Sequence, residues 1–340
     1  MFKKILVPLD GSMLAEKALP YAVRLANRLD AQLYLIRVVE APRLLGNQHK
    51  LAKEMVSNAE NYLANLTHLL SSRTLKPHTE ARRLHTSVVR GEAVFEICSF
   101  ARNLEIDLVV MSTHGRSGLP RLLAGSIATK ILHQLNTPVM LVRPFEQKHG
   151  QLLAETFSGV GEPYSNRFEG IETRLVLPLD GTRFAETAIG PACELAASLQ
   201  AKLHLLNVRG EDTQFYYGDL AGMGYTETHY YEVSPDDELA PVTYLGDIRR
   251  QVNEKGLSAV IGIRKGDIAE QIVSYACQNS ADAIVMATHA PSELGWFLSG
   301  STAAAVMRQS HLPVLMIPVH GETGANPGSD VEMKELTRSH

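Results

Sequence analysis

Short, unbroken apolar runs alternate along this chain with longer stretches whose apolar residues recur every three or four positions. These are the patterns of buried strands and of amphipathic helices. Ile5–Leu9 is the first run, and its β-branched residues suit a strand covered on both faces. Ser12, a residue type that caps helices, precedes a predicted helix over Met13–Leu29, with Leu14, Ala18, Tyr21, Ala22, Leu25 and Leu29 at helical spacing. Leu33–Val39 reads as a second strand, Leu51–Leu70 as a long helix, Leu84–Val89 as a third strand and Ala93–Asn103 as a helix. Leu108–Ser112, a helix over Ile127–Leu135 and the run Val139–Val142 complete the series. Strand and helix in alternation predict an α/β domain whose parallel sheet carries helices on both faces.

The pattern then starts again. Ile5-Leu6-Val7-Pro8-Leu9-Asp10-Gly11 returns as Leu175-Val176-Leu177-Pro178-Leu179-Asp180-Gly181, and Val38 returns as Val208, 170 positions on. Met111-Ser112-Thr113-His114 matches Met286-Ala287-Thr288-His289, and Gly125-Ser126 matches Gly300-Ser301, there 175 positions on. A period of that size is a domain, not a solenoid unit. The expected organisation is therefore one domain over residues 1–143, a linker over 144–172, a second domain over 173–319 and a polar tail over 320–340. The linker is rich in Gly, Pro and Ser, with a short helix conceivable over Gln151–Phe157.

Composition narrows the function classes. The 340 residues are 45% hydrophobic and 21% charged, ordinary for a globular protein with formed cores. Lys+Arg 33 against Asp+Glu 37 leaves a net charge of −4, so no overall basic field draws nucleic acid or anionic lipid. The apolar run after Lys4 is too short for a signal peptide, and no run approaches a membrane span, so a cytoplasmic location is expected. Cys98, Cys193 and Cys277 are too few and too scattered for a disulfide framework, and read as small packing residues. Phe215, Tyr216, Tyr217, Tyr225, Tyr230 and Tyr231 crowd one segment, 213–233, which suits a contact surface, a flap over the second pocket or a loop packed on its own domain.

Candidate chemistry lies after the strands, since open parallel sheets bind ligands at strand carboxyl ends where the strand order reverses. Strand one ends in Pro8-Leu9-Asp10-Gly11, and strand four in Met111-Ser112-Thr113-His114-Gly115, followed by Gly125-Ser126 at a helix start. Free amides at such a start suit a phosphate, and an acidic residue after strand one suits ribose hydroxyls or, alternatively, a cap on the next helix. His114 and His289 recur in both copies and suit a turn-shaping role; Arg116 is a phosphate contact or a solvated loop residue. No G-x4-G-K-[S/T], G-x-S-x-G or H-E-x-x-H sequence occurs, and Gly222-Met223-Gly224 stands alone.

At these residues the chain resembles the universal stress protein family in its tandem form. Nucleotide-binding members carry G-x2-G-x9-G-[S/T] after strand four, and copy one reads Ser112-x2-Gly115-x9-Gly125-Ser126. The resemblance implies two doubly wound, five-stranded parallel-sheet domains, Rossmann-like and adenine nucleotide alpha hydrolase-like, with strand order 3-2-1-4-5. It implies that the two last strands meet antiparallel, making an intramolecular pseudo-dimer. It also implies an ATP site, with or without Mg²⁺, in which Asp10 binds the ribose and Val38 lines the adenine, with Pro8, Leu9, His114 and Arg116 in the same cofactor-binding set. Met111, Ser112 and Gly115 border the phosphates, and Gly125, Ser126 and Ile127 hold them from the helix.

Copy two reads Ala287-x2-Ala290-x9-Gly300-Ser301, and Arg116-Ser117-Gly118 becomes Pro291-Ser292-Glu293. Losing a cation and gaining an anion beside a triphosphate costs on the order of 1–3 kcal/mol at an effective dielectric near 20. Asp180, Val208, Gly300 and Ser301 are thus expected to form a weaker site. The expected function is a stress-response regulator that binds ATP in copy one, acting through an unidentified protein partner, with a further homodimer open. A scaffold without nucleotide and a slow ATPase or self-phosphorylating enzyme remain the alternatives.

Overall fold

The computed structural model describes residues 2–40, 48–73, 83–113, 126–143, 172–210, 235–289 and 302–319. The first half runs β1 (Lys4–Leu9), α1 (Met13–Glu16), α2 (Leu19–Leu29), β2 (Gln32–Val39), α3 (Gln48–Arg73), β3 (Leu84–Arg90), α4 (Ala93–Asn103), β4 (Leu108–Ser112), α5 (Ser126–Gln134) and β5 (Val139–Val142). The second half runs β6 (Arg174–Pro178), α6 (Arg183–Glu186), α7 (Ile189–Leu199), β7 (Lys202–Arg209), α8 (Pro235–Glu254), β8 (Ala259–Lys265), α9 (Ile268–Gln278), β9 (Ala283–His289), α10 (Thr302–Gln309) and β10 (Val314–Val319). Most of the linker, the aromatic-rich segment and the tail lie outside the described residues.

One ten-stranded sheet spans both halves in the order β3-β2-β1-β4-β5-β10-β9-β6-β7-β8. Each half thus has the order 3-2-1-4-5 that the resemblance implies. Within a half the strands are parallel, while β5 and β10 pair antiparallel through Val314↔Leu141, Leu315↔Met140 and Met316↔Val139. Met140 and Leu315 are equivalent positions of the two copies, so a pseudo-twofold axis passes between them. Each half's last strand thereby covers the other's edge, removing two aggregation-prone edges.

Alternation along β1 sends Ile5, Val7 and Leu9 to one face, with α2 and α3, and Leu6 to the other, with α4 and α5. This is why the strands read as continuous apolar runs: both faces are covered. The single helix expected over Met13–Leu29 is instead two. Pro20 in the first turn of α2 cannot donate to Glu16, and its ring would crowd that carbonyl, so the chain breaks at Lys17. Pro191 accounts for the same break between α6 and α7.

The two corners of the seam differ. On one side Arg24 Nη2 pairs with Asp282 Oδ1 at 3.0 Å, and Arg28 Nη1 donates to Thr173 Oγ1 at 2.7 Å. Asp282 Oδ2 also accepts from the Arg174 amide at 2.9 Å, so one carboxylate ties both halves. A cavity of about 40 Å³ lies behind these bonds, lined by Tyr21, Leu25, Met140 and Leu199 among others. The pseudo-twofold carries Arg24 onto Glu194, Arg28 onto Ser198 and Asp282 onto Asp107. Glu194 has the same sign as Asp107 and cannot pair with it, and the short Ser198 lacks the reach of an arginine. There Asp107 Oδ2 accepts from the Lys3 and Lys4 amides, within its own half, at 2.7 and 2.9 Å.

No described helix is long and apolar enough to cross a membrane. All three cysteines are free. Cys98 and Cys193 are buried, as packing residues should be, and burial pushes the Cys98 thiol up to about 11. Cys277 departs from that expectation: it is exposed, on the outer side of α9.

Candidate functional site: a crevice between β1 and β4

The sheet itself opens a crevice at the strand carboxyl ends. β1 stays in register with β2 as far as Leu9↔Arg37, but its register with β4 ends at Leu6↔Val109. Lys4 O accepts from Asp107 N beside β4, whereas Lys3 O accepts from Gln32 N beside β2. Backbone polar groups alternate sides along a strand, so the nitrogen of Pro8 faces β4. It has no hydrogen to donate. A proline therefore stands where the β1–β4 ladder ends and the two strands part. Pro178 repeats the device, since β6 leaves β9 after Val176↔Ile284.

Asp10 sits on the β1 lip of this crevice. Its Oδ1 accepts from the Ser12 amide at 2.8 Å, and Ser12 Oγ accepts from Ala15 N at 3.1 Å. The carboxylate thus organises the turn that launches α1, the capping alternative. Asp180 does the same, accepting from the Thr182 amide at 2.9 Å and the Thr182 hydroxyl at 2.6 Å. The intervening Gly11 has φ +81°, a conformation that disfavours any side chain.

Three residues that the sequence reading missed converge here. Tyr62 of α3 donates its hydroxyl to Glu16 Oε1 at 2.8 Å, and the Arg37 guanidinium sits over the Tyr62 ring, 5.0 Å from its centre. A Cβ on Gly11 would collide with that guanidinium. Burial pushes the Glu16 carboxyl up; the Tyr62 bond opposes this, and the Asp10 charge adds to it. Burial, then the Glu16 charge, lifts the Tyr62 phenol above its ordinary range. The signal in the sequence was Arg37 itself, a lone charge in an otherwise apolar strand run.

The structure describes some of the remaining predicted residues, at the ends of β1, β2, β4 and β7 and at the start of α5. Pro8 and Leu9 are buried in β1 and serve as wall. Val38 at the end of β2 is half-buried on the face shared with α4 and α5, as is Val208 in the second half. Met111 and Ser112, buried, end β4. Ser126 and Ile127 are exposed at the start of α5. His114, Gly115, Arg116, Gly125, Gly300 and Ser301 lie outside the described residues. In the second half β9 keeps its register with β10 to His289↔Val319, whereas that of β4 with β5 ends at Ser112↔Val142.

The family profile for universal stress proteins matches residues 1–143 and, separately, residues 173–318. The chain belongs to the universal stress protein family. Membership places it among stress-response proteins, with the family domain used twice. Universal stress protein MJ0531 of Methanocaldococcus jannaschii is 31% identical over 145 residues, 42% of this chain and 83% of that protein. Universal stress protein Slr1230 of Synechocystis is 21% identical over 333 residues, covering 92% of this chain and 99% of that one. The crystal structure of a universal stress protein from Archaeoglobus fulgidus shares the fold, with a TM-score of 0.63 at 19% identity, covering 92% of this chain and 97% of that one.

Proposed function

We propose that the first half binds ATP in the β1–β4 crevice, that the second half does not, and that occupancy regulates a protein partner in the cytoplasm. The observation that carries this reading is the parting of β1 from β4 at Pro8, next to the strand whose sequence continues Ser112-x2-Gly115-x9-Gly125-Ser126. Strand ends that diverge at an order reversal offer the space, and a glycine-rich turn running into a helix offers amides for phosphate.

In this reading Val38 lines the adenine, and Asp10 accepts from the ribose hydroxyls while holding its own turn. Met111, Ser112, His114, Gly115 and Arg116 border the phosphates, which Gly125, Ser126 and Ile127 hold from the start of α5. Any Mg²⁺ enters on the phosphates, since no three His, Cys, Asp or Glu side chains gather to hold a metal among the described residues. The second-half set, Asp180, Val208, Gly300 and Ser301, lacks the leading glycines and is the weaker site. Because β5 and β10 already cover each other, a homodimer would have to use another surface.

Binding, not turnover, is the proposed output. Asp10 is already engaged with the Ser12 amide, and Glu16 with Tyr62. Mass spectrometry of ligand carried through purification should find adenine nucleotide, and millimolar ATP should raise the melting temperature. Gly115→Val and Gly125→Val should each remove that rise. No rise in the wild type would favour the scaffold alternative. Steady phosphate release lost in Asp10→Ala, with the fold intact, would favour the ATPase.

A further inference from the structure

We propose that Arg37 is the positioning residue that makes the first-half crevice accept an anionic nucleotide, and that its absence is a second reason the other half does not. The inference rests on the nucleotide reading above and names a determinant of that site outside its glycine-rich sequence.

Arg37 lies directly across the ladder from Leu9, so its side chain leaves β2 beside the Asp10–Gly11 turn. Its place there is fixed. The guanidinium sits over the ring of Tyr62, which is itself tied to Glu16, and the bare Gly11 gives it room against the backbone. It thereby lies beside the turn that carries Asp10 and against the ring whose hydroxyl binds Glu16, two carboxylates close enough to each other for Asp10 to raise Glu16. Without a cation, that pair would meet an incoming polyphosphate with two like charges. Arg37 offsets one of them and leaves Asp10 usable as an acceptor for neutral hydroxyls.

The second half is a natural control. Asp180, Glu186 and Tyr244 recur, and burial followed by Glu186 and then Asp180 lifts the Tyr244 phenol, so both carboxylates again stand near the tyrosine, although its hydroxyl makes no hydrogen bond among the described residues. At the position of Arg37, however, stands Asn207, whose Nδ2 turns inward to the Leu179 carbonyl at 2.7 Å. A Cβ on Gly181 would meet nothing. The carboxylates are kept and the cation is gone. Arg37 acts through the field at Asp10 and not through adenine, so its effect should scale with ligand charge.

The test is calorimetric titration of ATP and of adenosine into the full-length wild type, Arg37→Asn and Arg37→Lys at two salt concentrations. Arg37→Asn installs the residue that the second half already tolerates. One charge removed at several Å predicts about tenfold weaker ATP binding and a shallower salt dependence. Adenosine affinity should change less than about twofold, and Arg37→Lys should retain most of the ATP affinity. Equal ATP affinity in wild type and Arg37→Asn would overturn the proposal while leaving the nucleotide site standing. Parallel loss of ATP and adenosine would also overturn it, by showing a merely structural role. A wild type that binds neither ligand would remove the nucleotide reading itself, and this inference with it.

Discussion

The two halves of this chain share a fold, a strand order and the proline that opens the crevice, yet differ in the groups that line it. In the first half Arg37 is packed between the Gly11 turn and Tyr62; in the second, Asn207 reaches across to the Leu179 carbonyl at the end of β6. The seam shows the same division: Arg24 and Arg28 reach across at one corner, where the other has Glu194 and Ser198. What both copies retain is what the backbone needs. What they differ in is charge at a mouth and at an interface, where the fold tolerates change and ligands or partners feel it.

The contrast at the turns predicts the largest single effect. Gly11→Ala should destabilise by about 2–3 kcal/mol, because the methyl meets both a positive φ and a held guanidinium. Gly181→Ala meets only the positive φ and should cost about 1–2 kcal/mol. Urea denaturation would measure both, and in an Arg37→Asn background the cost of Gly11→Ala should fall to that of Gly181→Ala. Equal costs in the wild type would break the comparison.

The seam predicts a smaller difference. Arg24→Ala leaves Asp282, whose side chain is only 13% exposed, without its cross-seam cation, and should cost about 1–2 kcal/mol. Glu194→Ala, its pseudo-equivalent, should cost less than about 0.5 kcal/mol, as surface substitutions usually do. Amide exchange in β5 and β10 should quicken in the first variant and not in the second.

The smallest effect concerns pH. His204 is buried, with Nδ1 3.2 Å from the Tyr275 hydroxyl and Nε2 lacking a hydrogen-bond partner. Burial, then the Arg174 and Lys202 charges, pushes its pKa below the ordinary histidine value. The folded state therefore resists the proton that the unfolded chain accepts. Stability is unaffected above about pH 6.5 and is lost as the pH falls below it. The first half has Tyr34 at this position, so His204→Tyr should lose less stability than the wild type between pH 7.5 and 5.5. His133 acts in the same direction in the first half, which both proteins share.

Much of this fold was legible along the chain. Strands buried on both faces leave unbroken apolar runs, and a duplicated domain leaves its own copy 170 residues on. Pro8 and Asp10 were legible as a strand end. The break before α2 was not, because the helical spacing of Leu14, Ala18, Tyr21 and Ala22 runs straight through it and masks the effect of Pro20. The Arg37 cluster was hidden for a different reason: residues 10, 16, 37 and 62 meet only when α3 folds over the β1–β2 ladder. The same holds for Arg24 and Asp282, which are distant in sequence and joined only by the β5–β10 seam.

The central claim is that one half binds ATP and the other does not. Isothermal titration of ATP into the full chain tests it most directly. One ATP per chain, lost in Gly125→Val and kept in Gly300→Val, is the predicted result. Two ATP per chain, or one that survives Gly125→Val and disappears in Gly300→Val, would contradict it.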